Sequence, residues 1–236
     1  MINRAAPKTW AILPVKTVES AKQRLSDVLS GRERQQLFHE MLADVMAAIS
    51  DSKCLAGLAM VTRDPVIIKL GNQIGARIFK VDIDSGQSAA VSFAARSLAS
   101  DGIENTISIP GDVPLMSGTE IDAVCRSIED APSVTIVPNF DGTGTNSLAC
   151  SPPDVIPYEF GSNSFARHSN SASNAAIACR VLRLPGLGLD IDDRDDLINL
   201  LQRDAATRTH SFLTNSGIAA RLLATDCVLA TGRTSQ

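Results

Sequence analysis

Residues 55–81, LAGLAMVTRDPVIIKLGNQIGARIFKV, decide the fold. LAGLAMVT is an apolar run of strand length, PVIIKLGNQIG is helical and closes on glycine, and ARIFKV is a further strand. Strand, helix and strand in succession make a βαβ unit, and the flanks extend it. Upstream, TWAILPV (residues 9–15) reads as a buried strand with β-branched members. In SGRERQQLFHEMLADVMAAIS (residues 30–50), Ser30 and Glu33 form a capping box, and Leu37, Met41, Leu42, Val45, Met46 and Ile49 recur at helical spacing. Downstream, residues 87–99 read as a helix, NTISIPGD (residues 105–112) as a strand ending in a turn, and Ser117 with Glu120 as the cap of a helix through Ile128. Alternation of this kind implies a single α/β domain whose mainly parallel sheet is covered on both faces.

The second half is less regular. SVTIVPN (133–139) and SLACSP (147–152) read as strands joined by the glycine-containing loop FDGTGTN, SPPDVIPYEFGSNS as a loop, SFARHSNSASNAAI as a helix, and CRVLRL (179–184) as a strand. A helix over about 193–203 follows, FLTNSGIAARLL (212–223) suits a short helix, and residues 1–8 and 230–236 are expected to fray. Neither an internal repeat nor an interdomain linker interrupts the 236 residues.

Composition narrows the function classes. With 44% hydrophobic and 20% charged residues and a formal net charge of −4, the chain has the balance of a soluble globular protein, not of one that binds nucleic acid or an anionic membrane. MINRAAPKTW lacks an apolar targeting core and LAGLAMV is too short to span a bilayer, so a cytoplasmic location is expected. Five cysteines without CxxC spacing argue against a disulfide framework or a zinc site.

In open parallel sheets, ligands bind beyond the carboxyl ends of the strands, so the loops there carry the chemistry. Lys16, Lys22 and Arg24 follow the first strand, and three cations on one loop suit a triphosphate. In LPGLGLDIDDRDDLINL (residues 184–200) five aspartates fall within seven positions. In an extended chain Asp190 and Asp192 share one face, their Cα atoms roughly 6.6 Å apart, while Leu189 and Ile191 take the other. Asp193 and Asp196 instead suit the cap and first turn of the following helix. Asp112, in IPGDVPLM at the end of another strand, supplies a third carboxylate, and the set suits Mg²⁺. Taken singly, each of these stretches is equally an ordinary turn or helix start. EFGSNSF leads into a helix at Ser164, with Arg167 and His168 one turn on, where free N–H groups can take a phosphate or carboxylate. Gly86, Gln87 and Ser88 stand at another helix start, where a base edge can be read. No nucleophile elbow or Ser/His/Asp order is present, and GLGLD is no dinucleotide fingerprint because it does not join a strand to a helix.

Taken in order, LPVKTVESAKQRL, PGDVPLM, DGTGTNSL, SPPDVIPYEFGSNSFARH and LPGLGLDID resemble the CofC-type guanylyltransferases of coenzyme F-420 (deazaflavin) biosynthesis. These comprise 2-phospho-L-lactate guanylyltransferases and their bacterial phosphoenolpyruvate and 3-phospho-D-glycerate counterparts. The resemblance runs from Trp10 to Leu223. It implies a Rossmann-related, glycosyltransferase-A-like fold and the joining of GTP to a three-carbon phosphoacid, with a GDP-linked acid passed on to a deazaflavin-alcohol transferase. It further implies Asp112, Asp190 and Asp192 as ligands of Mg²⁺, two ions with substrates bound. Leu13, Pro14, Val15, Lys16, Lys22, Arg24, Gly86, Ser88 and Asp112 would contact GTP, and Thr145, Gly161 and Ser164 the acid. Of these, Lys16, Lys22, Arg24 and Asp112 would be catalytic. The chain departs from the family at Asp193–Asp196, where Thr-Pro-Glu-Asp is frequent, and at Gln87; the first change touches a helix cap and the second the base site.

Nucleotidyltransferases of molybdenum-cofactor or isoprenoid pathways are the nearest alternative, but LPVKTVESAKQRL lacks their glycine-rich Arg-Met-Gly element. A non-catalytic GTP-binding module on the same fold is the other, and it would have no use for three strand-end aspartates. A homodimer is the default assembly.

Overall fold

The computed structural model describes residues 9–16, 22–81, 86–128 and 130–231, with residues 225–231 described by backbone alone. In chain order the elements are β1 (Thr9–Pro14), α1 (Gly31–Asp51), β2 (Leu55–Val61), α2 (Pro65–Gln73), β3 (Arg77–Phe79), α3 (Gln87–Ser100), β4 (Asn105–Ser108) and α4 (Gly118–Ser127). There follow β5 (Ser133–Pro138), β6 (Thr145–Ser151), α5 (Ser164–Asn174), β7 (Ala178–Val181), α6 (Arg194–Leu201), α7 (Arg208–Asn215) and α8 (Ile218–Thr231). The strands form one sheet in the order β3-β2-β1-β4-β6-β5-β7. Pairs β1–β2, β1–β4, β2–β3 and β5–β7 are parallel, whereas β6 runs antiparallel to both β4 and β5. The reversal has a local cause. Residues 139–144 between β5 and β6 are too few for a crossover, which takes about a dozen or more residues, so the two strands fold back as a hairpin.

Alternate residues of the strands face opposite layers. Ala11, Leu13 and Met60 pack with Phe38, Leu42 and Val45 of α1 and with Ile121 and Val124 of α4. Ile12, Ala59 and Val61 pack on the other side against Ala90, Val91, Ala94, Ala95 and Leu98 of α3. Helix α1 is buried on two sides. Leu37 and Met41 turn from the sheet into a third cluster with Leu189, Ile191, Leu197, Leu213 and Ile218, so the C-terminal helices rest on the back of α1. This explains why α1 carries more apolar positions than one stripe requires.

Both anticipated capping boxes form, with Ser30 accepting from Glu33 N–H and Ser117 from Glu120 N–H, and each glutamate returning to its cap. Several bounds differ from the sequence expectation. Strand β4 stops at Ser108, because after Ile109 N–H reaches Ile12 O the next residue, Pro110, has no N–H to donate and the chain turns at Gly111. Residues 189–192 join no strand; Ile191 N–H reaches Asp112 O at 3.0 Å. The edge strand β7 ends at Val181, before the expected 184. The tail forms two helices, broken where Gly217 takes φ +77. Helix α8 runs through Thr231, while 232–236 and 1–8 lie outside the described residues. Among the described residues no helix is long and apolar enough to cross a membrane.

Candidate active site

A cleft of about 630 Å³ opens beyond the carboxyl ends of β1 and β4, where a parallel arrangement puts its ligands. Its lining comes from Pro14 at the end of β1 and Val15, Lys16, Lys22 and Arg24 after it; Pro110, Gly111 and Asp112 after β4; residues 139 and 143–146 around the β5–β6 turn; residues 160–162 and 164 at the start of α5; and Asp190 with Asp192 before α6, with Phe38 of α1 and Gln87 of α3 beside them. Residues 17–21 of the basic loop lie outside the described residues.

One wall is ionic. The Lys22 ammonium donates to Asp112 Oδ2 at 2.6 Å and to Asp192 Oδ1 at 2.9 Å, with only 7% of its side chain exposed. Burial by itself lowers the lysine pKa, but the two carboxylates outweigh it and hold the group above its ordinary value. Asp192 shows the other half of that balance. Burial opposes its ionisation, and the charges of Lys22, Arg24 and Lys16 overcome it, so its pKa is lowered. Arg24 is exposed and 3.7 Å from Asp192, too open to contribute much by itself. Among the described residues Asp190 has no such cationic partner. Burial first, and the charge of Asp112 next, raise its pKa from 3.8 to about 6, while a hydrogen bond from Asn146 Nδ2 at 3.1 Å pulls the other way. Among the described residues no group of three or more His, Cys, Asp or Glu side chains is arranged to hold a metal ion, and the Lys22 ammonium stands between two of the three candidate ligands.

The arm carrying Asp190 and Asp192 is fixed from below. Glu120, already the partner in the α4 cap, accepts from Gly186 N–H at 2.8 Å and Leu187 N–H at 3.2 Å. Gly186 lies so close to the Leu115 carbonyl oxygen that a Cβ there would run into it. Asn146 Nδ2 also donates to Leu187 O, and Asp193 caps α6 in a reciprocal box with Asp196, whose carboxylate takes the Asp192 N–H at 2.8 Å. Asp193 and Asp196 are therefore structural, as their positions suggest.

The facing wall is neutral and hydroxyl-rich. Thr145 N–H donates to Ser164 Oγ at 2.8 Å, and both residues border the cleft. Gly161 takes φ +106, a left-handed conformation that admits the turn into α5. Behind Thr145 lies His168, fully buried, with Nδ1 3.0 Å from Thr145 Oγ1 and Nε2 accepting Glu159 N–H at 2.8 Å. Burial and then the nearby Arg167 charge lower its pKa from 6.5 to about 4.

Four of the candidate residues, Leu13, Gly86, Ser88 and Arg167, do not line the cleft. Leu13 is fully buried in the core. Gly86, at φ +95, caps α3, and Ser88 Oγ accepts Phe160 N–H at 2.9 Å; between them Gln87 borders the cleft. Arg167 donates to the Glu159 and Phe160 carbonyls and secures the loop instead of facing the cleft. Asn146, Asn139 and Phe160 border the cleft without having been singled out in the sequence. Of these only Asn146 left a signal, as an amide inside an otherwise small and apolar strand.

Comparison with known proteins gives a consistent result. The family model described as "Guanylyl transferase CofC like" matches residues 9–227. The phosphoenolpyruvate guanylyltransferase of Roseiflexus castenholzii is 36% identical over 198 residues, covering 84% of this chain and 90% of that protein. The 3-phospho-D-glycerate guanylyltransferase of Colwellia psychrerythraea is 32% identical over 190 residues, covering 80% and 90%. Among solved structures, a putative nucleotide-diphospho-sugar transferase from Desulfovibrio desulfuricans superposes with a TM-score of 0.73 at 15% identity, over 92% of this chain and 97% of that one. A nucleotidyl transferase from Methanothermobacter gives 0.60 at 14% identity, over 88% and 99%. At these identities the two structures speak for the fold alone.

Proposed function

The chain belongs to the CofC-like guanylyl transferase family, and from that membership we propose that it joins GTP to a three-carbon phosphoacid, forming a GDP-linked acid and pyrophosphate in coenzyme F-420 biosynthesis. The acid is one of 3-phospho-D-glycerate, phosphoenolpyruvate and 2-phospho-L-lactate; the named relatives act on the first two. The observation that supports this most is the two-sided cleft, ionic on the β1, β4 and Asp190–Asp192 side and hydroxyl-lined on the Thr145–Ser164 side. A nucleotide triphosphate suits the first wall and a small phosphoacid the second.

A phosphate oxygen of the acid attacks the α-phosphorus of GTP. The new P–O bond forms as the bond from that phosphorus to the α–β bridging oxygen breaks, and pyrophosphate leaves. The attacking oxygen is already ionised near neutral pH, so the chain need supply no general base. Its task is to bring two anions together in line. Lys16, Lys22 and Arg24 bind and orient the triphosphate through charge-assisted hydrogen bonds. Gln87, which borders the cleft between Gly86 and Ser88, lies toward the guanine, and Thr145, Gly161 and Ser164 hold the acid.

Asp112, Asp190 and Asp192 would hold Mg²⁺, two ions with both substrates present. Their oxygen donors suit that cation, and the ammonium drawn between Asp112 and Asp192 already stands in for a positive charge there. Bound Mg²⁺ supplies neutralisation of the triphosphate and of the departing pyrophosphate.

The test is pyrophosphate release with GTP and Mg²⁺ against the three acids side by side, with ATP as control. Release with GTP and at least one acid, and little with ATP, is expected. No release with any acid would overturn the assignment.

A further inference from the structure

His168 lies behind the hydroxyl-lined wall, touches no space in the cleft and is absent from the set of substrate contacts proposed above. Its two ring nitrogens nonetheless settle what that wall can donate. A backbone N–H has only a hydrogen to offer, so the 2.8 Å bond from Glu159 N requires a lone pair on His168 Nε2. In a neutral imidazole the remaining proton then sits on Nδ1, 3.0 Å from Thr145 Oγ1, and is donated to it. An imidazolium would set two N–H groups against each other at Glu159. Burial disfavours it as well, which is why the ring gives up its proton down to about pH 4. The Phe160 ring, edge-on at 5.3 Å and 71°, fixes the imidazole plane.

The consequence reaches the cleft through Thr145. A hydroxyl that accepts from His168 has its own hydrogen left to give, and Thr145 borders the cleft. Ser164 is held in a similar way. Its oxygen accepts Thr145 N–H at 2.8 Å, so its hydrogen is likewise left to donate. The wall thus becomes a pair of adjacent donors, the polarity that an anionic oxygen needs.

We infer that His168 is a positioning residue for the phosphoacid: as the Nδ1-protonated neutral imidazole it forces the Thr145 hydroxyl to donate to an oxygen of the bound acid. This rests on the guanylyltransferase function proposed above. A purely structural His168, tying α5 to the loop before it, would affect both substrates alike.

Two measurements separate these. In the long-range proton–nitrogen spectrum of the unaltered, ¹⁵N-labelled chain at neutral pH, His168 is expected to show a protonated Nδ1 and a bare Nε2. Kinetics are measured with GTP and, separately, phosphoenolpyruvate and 3-phospho-D-glycerate. His168→Gln, whose amide reaches toward the Nε2 position and leaves Thr145 without its donor, is expected to raise KM for the acid about 10- to 100-fold, as for one lost hydrogen bond to a charged group. KM for GTP stays within about twofold. His168→Asn, which offers an N–H near the Nδ1 position, recovers most of the loss. In a Thr145→Val background His168→Gln adds little, because the two substitutions remove the same bond. An Nε2-protonated ring or an imidazolium, KM values rising together for both substrates, or full additivity with Thr145→Val would each overturn the inference. Lack of turnover by the unaltered chain with these two acids and with 2-phospho-L-lactate would overturn the function beneath it instead, and the spectrum distinguishes the two failures.

Discussion

Asp190→Asn should make the metal-free chain more stable while removing its activity, and the gain should depend on pH in a defined direction. The folded carboxyl ionises at about 6 against 3.8 when exposed, because it is buried beside the Asp112 charge. A raised carboxyl pKa means that the folded chain holds a proton the unfolded chain has lost. Stability therefore falls as pH rises from about 4 to about 6, and the penalty persists above that range. A displacement of about two pH units corresponds to roughly 3 kcal/mol at about 1.4 kcal/mol per unit. Partial exposure of the carboxyl and relaxation of the variant reduce the expected gain to about 1–3 kcal/mol. Asparagine keeps an oxygen for the Asn146 Nδ2 bond and carries no charge, so nothing else of comparable size is removed. The assay is urea unfolding in chelator at pH 4 and pH 7.5 for both chains. The variant should match the parent at the lower pH and exceed it by about 1–3 kcal/mol at the higher. Equal stability at both, or a variant weaker at pH 7.5, would refute the reasoning. With Mg²⁺ added, the parent should recover more stability than the variant, by linkage to a cation that binds only the folded state.

Lys22→Met leaves Asp112 and Asp192 facing each other without the shared ammonium. Because both carboxylates are partly exposed, the expected loss by urea unfolding at neutral pH is about 1–3 kcal/mol, below the value for a fully buried pair. The depressed Asp192 pKa makes this difference shrink as pH falls through the acid range. Asn146→Ala strands the Leu187 carbonyl and removes the bond that favours ionised Asp190. It should cost about 1–3 kcal/mol by denaturant melt and move the acid limb of the pH–rate profile to higher pH. Gly186→Ala forces the arm away from the Leu115 carbonyl, with an expected loss of about 1–3 kcal/mol and a fall in kcat larger than the change in KM for GTP.

The fold was legible where local signals and tertiary context agree. The two Ser/Glu capping boxes, the βαβ unit of 55–81 and the glycine at the end of α2 each set an element by chemistry within a few residues. The antiparallel β6 could have been read from its short connection to β5, a constraint that outweighs a general alternation of strands and helices. Residues 189–192 illustrate the opposite limit. Their alternating burial is real, but it comes from packing Leu189 and Ile191 against the back of α1, not from a place in the sheet. No periodicity distinguishes these two causes. At the candidate site the charged members were visible as residue types at strand ends. The roles of Asn146, of Glu120 beyond its helix cap and of His168 beyond its place after Ser164 were not, because each acts through a partner far away in sequence: Asp190, Gly186 and Thr145 respectively.

The central claim is that an oxygen of the acid displaces pyrophosphate from the α-phosphorus. It is tested most directly by following radiolabel from GTP marked at the α- or the γ-phosphate, with Mg²⁺ and each phosphoacid. Label from the α-position should appear in a nucleotide-linked acid, and label from the γ-position should leave entirely as pyrophosphate. Label from the γ-position in the acid, or α-label released only as free GMP, would contradict the claim.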